Sequence, residues 1–200
     1  MKTLLFIISI VVGYFLGSIS FSVILTKFKF KKDVRQEGSG NAGATNVTRV
    51  FGMKAGLFTL FGDILKTFAS MALGLVLLGE WGMMAAGIAA ILGHCFPAYF
   101  SFKGGKAVSV TGAVAIFVDL RVAAIGLTIF LLIALITRYV SLSSIIAGSS
   151  LVVLAFVFSL SLPKTIILIF AALMIIIMHR ANISRLIKGT EPKFKPKSNK

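Results

Sequence analysis

LLFIISIVVGYFLGSISFSVIL (Leu4–Leu25) runs without a single charge into TKFKFKKDVR (Thr26–Arg35), where five of ten residues are basic. The apolar run matches the roughly 20 residues an α-helix needs to cross the hydrocarbon core of a bilayer. No A-x-A-type cleavage site follows it, so it reads as an uncleaved anchor rather than a signal peptide. The rest of the chain has the same character. Of 200 residues, 58% are hydrophobic and only 14% charged, and the mean hydropathy is +1.00. The long apolar runs are too many for one soluble core.

Working outward from the first run, seven apolar segments can be drawn: Leu4–Leu25, Ala55–Leu78, Gly82–Phe100, Ala107–Val118, Val122–Ile136, Ser144–Leu160 and Thr165–Met178. The expected fold is all-α, a polytopic helical membrane protein with about seven transmembrane helices, forming one domain over residues 1–200 with a short basic tail at 189–200. The fourth and fifth segments are short. They are tilted or partial spans in a seven-helix reading, or a re-entrant pair in a five-helix one. With the N-terminus outside, seventeen lysines and arginines fall on the inner side, including Lys195, Lys197 and Lys200 of the tail. Only Lys2, Arg121 and Lys164 stay outside, and Lys66 lies within a span. That bias puts the C-terminus in the cytoplasm. It also accounts for the net charge of +15 without nucleic acid, for which no zinc-finger, RRM or helix-turn-helix pattern is present.

Under this topology four polar islands share the cytoplasmic side. The first, GSGNAGATNVTR (Gly38–Arg49), is either a solvated connector or a loop whose backbone N–H groups converge on an anion, with Arg49 adding a fork of donors. The second, Phe102-Lys103-Gly104-Gly105-Lys106, sets two glycines between two lysines just before a helix start. It is not a Walker A loop, because Ala107 follows Lys106. In the third, Thr137–Ser144, Ser143 or Ser144 caps the following helix or bonds a ligand phosphate. In the fourth, His179–Glu191, a continuing helix would put His179 and Asn182 on one face, while Arg180, Arg185 and Lys188 snorkel toward headgroups. Asp63 and Lys66 share a helix face inside the second segment, as a structural ion pair or as catalytic groups. Gly13-x-x-x-Gly17 and Gly52-x-x-x-Gly56 read as close helix contacts.

Some chemistries find no support. One cysteine, Cys95, allows no internal disulfide, and two histidines with six acidic residues argue against a two-metal hydrolase. There is no His-x-x-x-x-Asp acyltransferase box, no G-x-S-x-G elbow and no paired-aspartate signature. A cytoplasmic site rich in anion-binding elements, with no arranged nucleophile, suits a substrate that is already activated. The rival reading is an organic-anion transporter, although no internal repeat is visible.

Glu37-Gly38-Ser39-Gly40-Asn41-Ala42-Gly43-Ala44-Thr45-Asn46 with Arg49, His94-x-Phe96-Pro97 with Phe102-Lys103-Gly104-Gly105-Lys106-x-Val108, Arg138-Tyr139-x-Ser141-Leu142, and His179-Arg180-x-Asn182-Ile183 with Arg185-Leu186 and Gly189-x-Glu191 occur in this order. Together they resemble the motifs of the bacterial acyl-phosphate-dependent glycerol-3-phosphate acyltransferases, the PlsY family. The resemblance implies transfer of a fatty acyl group from acyl phosphate to the sn-1 hydroxyl of glycerol 3-phosphate, giving lysophosphatidic acid and phosphate in phospholipid biosynthesis. It implies a cytoplasmic (inner) membrane enzyme without cofactor or metal, supplied with acyl phosphate by PlsX, and not using acyl-CoA or acyl-carrier protein as direct donor. By the same resemblance the catalytic residues are Ser39, Arg49, Lys106, His179 and Asn182. The substrate-binding residues are Asn41, Thr45, Asn46, Gly104, Gly105, Ser143, Ser144 and Glu191. Asn41 and Asn46 would shape the first loop, Gly104 and Gly105 would bring backbone N–H groups to the acyl phosphate, and Glu191 would tether the tail. Ser109 and Val110 depart from the family's usual Ala and Thr, and no function is placed on them.

Overall fold

The computed structural model describes residues 1–194; Lys195, Lys197 and Lys200 of the expected inner-side charge lie outside the described residues. Among the described residues there are nine α-helices, two 3-10 turns and no strand. The first apolar run folds as two helices, α1 (Lys2–Gly17) and α2 (Phe21–Phe30). Serines sustain the break between them. Ser18 Oγ donates to Tyr14 O at 2.8 Å, and the hydroxyls of Ser20 and Ser22 meet at 3.0 Å. The carbonyl of Ile19, freed by the break, accepts Lys66 Nζ at 2.7 Å. Inside a bilayer such a gap is tolerated only when the loose backbone groups find partners in this way.

After the turn Val34–Gln36 and the short α3 (Ala44–Phe51) comes α4 (Met53–Cys95), which is two helical arms. Leu78 and Gly79 leave helical geometry, Gly79 with φ +62°, and the second arm folds back along the first. Gly74 and Gly82 allow this: a Cβ on either would come within 2.2 Å of the other's carbonyl oxygen. The turn Ala98–Phe100 leads to α5 (Val108–Val118), α6 (Leu120–Thr137), α7 (Val140–Val157), α8 (Leu162–Met178) and α9 (Arg180–Ile187). Four stretches have the length and apolarity to cross a membrane: Lys2–Phe30, Met53–Phe100, Leu120–Thr137 and Val140–Val157. Leu162–Met178 with Arg180–Ile187 makes a fifth, bent by 59°.

Each of the seven apolar segments is mostly helix, but two readings change. The fifth is not short, because Asp119 accepts the N–H groups of Arg121 and Val122 and starts α6 early, giving 18 residues. The fourth remains short, since 11 residues rise only about 16 Å. Gly52 is a turn residue (φ +93°) with open space around it rather than a packing glycine, and only Gly56 makes a close contact, on Thr48.

The helix α1 runs along the second arm of α4, with Gly13 on the Ala86 backbone and Gly17 on that of Ala90. Met71, Met83, Ile91, Val110, Val114, Ile167, Leu168 and Ile175 form the buried core between α4, α5 and α8. Leu127, Leu131, Leu135, Val153 and Phe156 stay exposed, the surface a helix offers to lipid rather than water. One end of the bundle is closed by short connections, where Ser161 donates to Glu80 and Lys164 pairs with it at 3.2 Å. The opposite end carries all four polar islands.

Candidate active site

Asn46 organises the first island from within. It is buried, its Oδ1 accepts the Ser39 N–H at 3.0 Å, and its Nδ2 faces the carbonyls of Val34, Glu37 and Asn41 at 3.2, 2.9 and 3.1 Å. Every polar atom of that side chain is therefore engaged with the loop. Asn46 shapes the island, as expected of it, but it is not free to hold substrate. Ser39 lies on the exposed limb, with no hydrogen bond to its hydroxyl among the described residues. Thr45 and Arg49 are one turn apart on α3, hence on one face. Among the described residues Arg49 makes no hydrogen bond or ion pair; its guanidinium stands 6.0 Å from the Phe194 ring. Asn41 folds its amide over Gly43.

The islands join one another. Arg35, clamped by Asp33 at 2.7 Å, donates from Nη1 to the Phe100 carbonyl at 2.7 Å and so ties the segment leading into the first island to the one leading into the second. Lys106 Nζ donates to Asn182 Oδ1 at 2.6 Å, tying the second to the fourth. Asn182 Nδ2 in turn donates to Glu191 Oε1 at 2.6 Å, which also accepts the Ser141 hydroxyl at 2.6 Å, while Arg185 Nε meets Glu191 Oε2 at 2.7 Å. The Phe194 N–H donates to Arg138 O at 2.8 Å, returning the tail to the third island. Arg49, Lys106, His179, Asn182 and Glu191 are brought near one another from three of the four islands.

Four expectations need correcting. The N–H groups of Gly104 and Gly105 do not point to a ligand: they donate to Cys95 O and His94 O at 3.1 and 3.0 Å and finish the end of α4. Both positions need glycine because a Cβ at 104 would lie 2.0 Å from His94 O, and one at 105 would lie 2.1 Å from His94 Nε2. Ser143 and Ser144 neither cap α7 nor present a free O–H. Both are buried and donate back along the helix, to Tyr139 O at 2.9 Å and Val140 O at 2.8 Å. The helix does not continue through His179; α8 and α9 meet there at a bend, which brings His179 and Asn182 toward Lys106. Arg185 does not snorkel but pairs with Glu191. Ser141 and Arg185 are the members of the site that sequence reading passed over, although both stand inside the quoted motifs.

The electrostatics follow from this packing. Burial pulls Lys106 below the ordinary lysine range, helped by Arg185 and Arg49 and opposed by Glu191. Lys106 thus lies near two other cations and one carboxylate. Burial raises the affinity of Glu191 for a proton, but bonds from Ser141, Asn182 and Arg185 outweigh it and hold the group ionised below the usual range. His179 is pushed down to about 4, first by burial and then by the charge on Lys106, against the opposing bond to Ile175. At neutral pH its ring is uncharged. Nδ1, 2.8 Å from the Ile175 carbonyl, must carry the proton, which leaves Nε2 as an acceptor.

A family model described as glycerol-3-phosphate acyltransferase matches residues 7–189. "Glycerol-3-phosphate acyltransferase 2" of Bacillus anthracis is 43% identical over 191 residues, 94% of this chain and 98% of the relative. The glycerol-3-phosphate acyltransferase of Bacillus subtilis strain 168 is 39% identical over 93% of this chain and 96% of its own. Among solved structures, PlsY (YgiH), an integral membrane glycerol 3-phosphate acyltransferase, superposes with a TM-score of 0.90 in its glycerol 3-phosphate form, at 38% identity over 95% of this chain and 96% of that one. Its lysophosphatidic acid form gives 0.87. The chain belongs to the PlsY family of integral membrane glycerol-3-phosphate acyltransferases, enzymes of phospholipid biosynthesis.

Proposed function

We propose that the site holds glycerol 3-phosphate with its phosphate against Arg49 and Lys106, and that a fatty acyl group passes to the sn-1 hydroxyl from acyl phosphate. The observation that carries this is the charge imbalance: among the described residues Lys106 lies near two other cations, Arg49 and Arg185, and one carboxylate, Glu191, which Arg185 pairs with, and Arg49 makes no ion pair. Such a surplus suits a phosphate dianion. PlsY has been solved with glycerol 3-phosphate and with lysophosphatidic acid, an acceptor and a product that fit this reading.

In the reaction the sn-1 oxygen attacks the acyl carbon, the bond from that carbon to the phosphate oxygen breaks, and the hydroxyl proton leaves on the departing phosphate. The products are 1-acyl-glycerol 3-phosphate and hydrogen phosphate. The sn-1 hydroxyl is itself the nucleophile, and no dedicated protein base is required, because a phosphate oxygen of the substrate takes the proton. Asn182 positions Lys106, and the neutral His179 offers Nε2 as an acceptor that orients a glycerol hydroxyl. Ser39 and Thr45 add hydroxyls on the first island, and Ser144, though its O–H is engaged, keeps lone pairs for a glycerol hydroxyl. A pH–rate profile set by one protein carboxylate or histidine, with substrate binding intact, would contradict substrate assistance.

The chain acts as one domain that crosses the membrane seven times, N-terminus outside and C-terminus in the cytoplasm, with its site on the inner face of the bacterial cytoplasmic membrane. The charge bias supports that orientation. The donor is made by PlsX. The test is a donor comparison in detergent: purified protein with glycerol 3-phosphate and either palmitoyl phosphate, palmitoyl-CoA or palmitoyl-acyl-carrier protein. Lysophosphatidic acid and phosphate should form in equal amounts from palmitoyl phosphate alone. Product from either thioester at a comparable rate would overturn the donor assignment.

A further inference from the structure

Behind the site, inside the bundle, lies a second polar cluster that the reaction as described does not use. Lys66 Nζ is 3.0 Å from Asp63 Oδ1, 3.2 Å from His94 Nδ1 and 2.7 Å from Ile19 O. Asp63 Oδ2 accepts the Ser109 hydroxyl at 2.7 Å, and Asp63, Lys66 and His94 are each no more than 5% exposed. On insertion scales each charge alone would cost about 2.5–3.5 kcal/mol at the bilayer centre. The pairing reduces that penalty but does not explain the arrangement. A bare ion pair needs neither the histidine nor the serine.

The members come from the break between α1 and α2, both arms of α4, and the first turn of α5. The last two flank the Gly104–Ala107 segment on either side. His94 Nδ1 faces Lys66 Nζ at 3.2 Å and Asp63 Oδ1 at 3.5 Å, so the ring is held by the ion pair on one side and turns Nε2 toward the loop. Nε2 lies where a side chain on Gly105 would be, 2.1 Å from an ideal Cβ, and the His94 carbonyl takes the Gly105 N–H at 3.0 Å. His94 thus touches the residue before Lys106 with both its ring and its backbone. Ser109, three residues beyond Lys106, is anchored to the same carboxylate.

We propose that Lys66, Asp63, His94 and Ser109 are positioning residues for Lys106. The cluster clamps the segment at both flanks, so that the ammonium of Lys106 reaches Asn182 and the substrate phosphate in fixed register. The inference rests on the reading of Lys106 as part of the glycerol 3-phosphate site. It assigns the intramembrane charges to the acceptor side of the reaction rather than to helix assembly alone.

The test measures glycerol 3-phosphate affinity by titration calorimetry, acyl-transfer kinetics and the melting temperature of detergent-solubilised protein. His94→Asn keeps an oxygen near Nδ1 for Lys66 but removes the ring edge from Gly105. It should weaken glycerol 3-phosphate binding by about 10-fold, with a smaller change in kcat and in melting temperature. Gly105→Ala should weaken binding similarly, and the double variant should bind at least about 3-fold better than the product of the two single losses, because the asparagine leaves room for the methyl group. Native affinity in His94→Asn, or strictly multiplicative losses, would overturn the clamp. If His94→Asn does not fold, Ser109→Ala carries the same comparison against Ser109→Thr, which keeps the hydroxyl: alanine should weaken binding and threonine restore it, and equal affinities would overturn the proposal. Lys106→Ala is the control on the reading beneath it. If that variant binds glycerol 3-phosphate normally, the placement of Lys106 is wrong; if it does not and His94→Asn does, only the clamp is wrong.

Discussion

Glu191 is the knot that holds the tail over the site, and replacing it with glutamine separates its two parts. The Ser141 hydroxyl and Asn182 Nδ2 both donate to Oε1, whereas Arg185 Nε donates to Oε2. A glutamine can keep its oxygen toward Ser141 and Asn182, but its NH2 then faces Arg185, donor against donor. What is lost is one charge-assisted hydrogen bond, worth about 1.5–3 kcal/mol. Arg185 is 39% exposed and water recovers part of its bond, so the lower end applies, about 1.5 kcal/mol. For a chain of this length that lowers the melting temperature by about 3–6 °C. Asn182 keeps its orientation and continues to hold Lys106, so kcat/KM should stay within about 3-fold. Glu191→Ala removes all three bonds, releases Asn182 and should lose at least about 10-fold more in kcat/KM. Thermal unfolding and acyl-transfer kinetics on the two purified variants decide the matter. Equal kcat/KM for glutamine and alanine would refute the claim that Glu191 serves the site through Asn182.

Three further outcomes follow from the same geometry. Asn46→Ala should cost about 2–3 kcal/mol by leaving the Ser39 N–H without its acceptor and three carbonyls without their donor; Asn46→Asp should do no better, since it sets a carboxylate oxygen against those carbonyls, and a native melting temperature for it would refute the assignment. His179 has a folded pKa of about 4 against an ordinary 6.5, so the unfolded chain binds the extra proton and stability falls as pH drops through this window. Unaltered protein should lose up to about 3 kcal/mol more than His179→Asn between pH 7 and 4, and parallel stability curves for the two would count against a buried neutral imidazole. Gly17→Ala places a Cβ 2.4 Å from Ala90 O and should destabilise by about 1–3 kcal/mol, read as a lower melting temperature; an unchanged one would show that α1 does not sit against the second arm of α4.

Much of this fold is legible in the sequence because a bilayer enforces long apolar runs and penalises charge within them. The seven segments, the uncharged faces and the glycine contact of α1 follow from that constraint. The polar islands are legible too, since nothing else explains Gly38–Arg49 beside so much apolar sequence. Individual donors are harder to read. Ser141, Ser143 and Ser144 lie within one turn, and only the phase of α7 and the return of Glu191, fifty residues on, pick out Ser141. Ser143 and Ser144 resemble ligand donors until the helix supplies a carbonyl four residues back. The glycines of the second island suggest free amides, yet the end of α4 takes both. Asp63 and Lys66 are visible as a pair, but His94 joins them only because α4 doubles back at Leu78–Gly79, a break that shows in the sequence as no more than a short gap between apolar runs.

The central claim is that the cations gathered from separate islands bind and activate the substrates. It is tested most directly by Arg49→Ala and Lys106→Ala in purified protein, assayed with palmitoyl phosphate and glycerol 3-phosphate. Neither side chain is part of the buried core, so both variants should melt within about 3 °C of the unaltered protein and each should lose at least about 100-fold in kcat/KM. Unaltered protein that forms no lysophosphatidic acid, or either variant acting at the normal rate, would contradict the account.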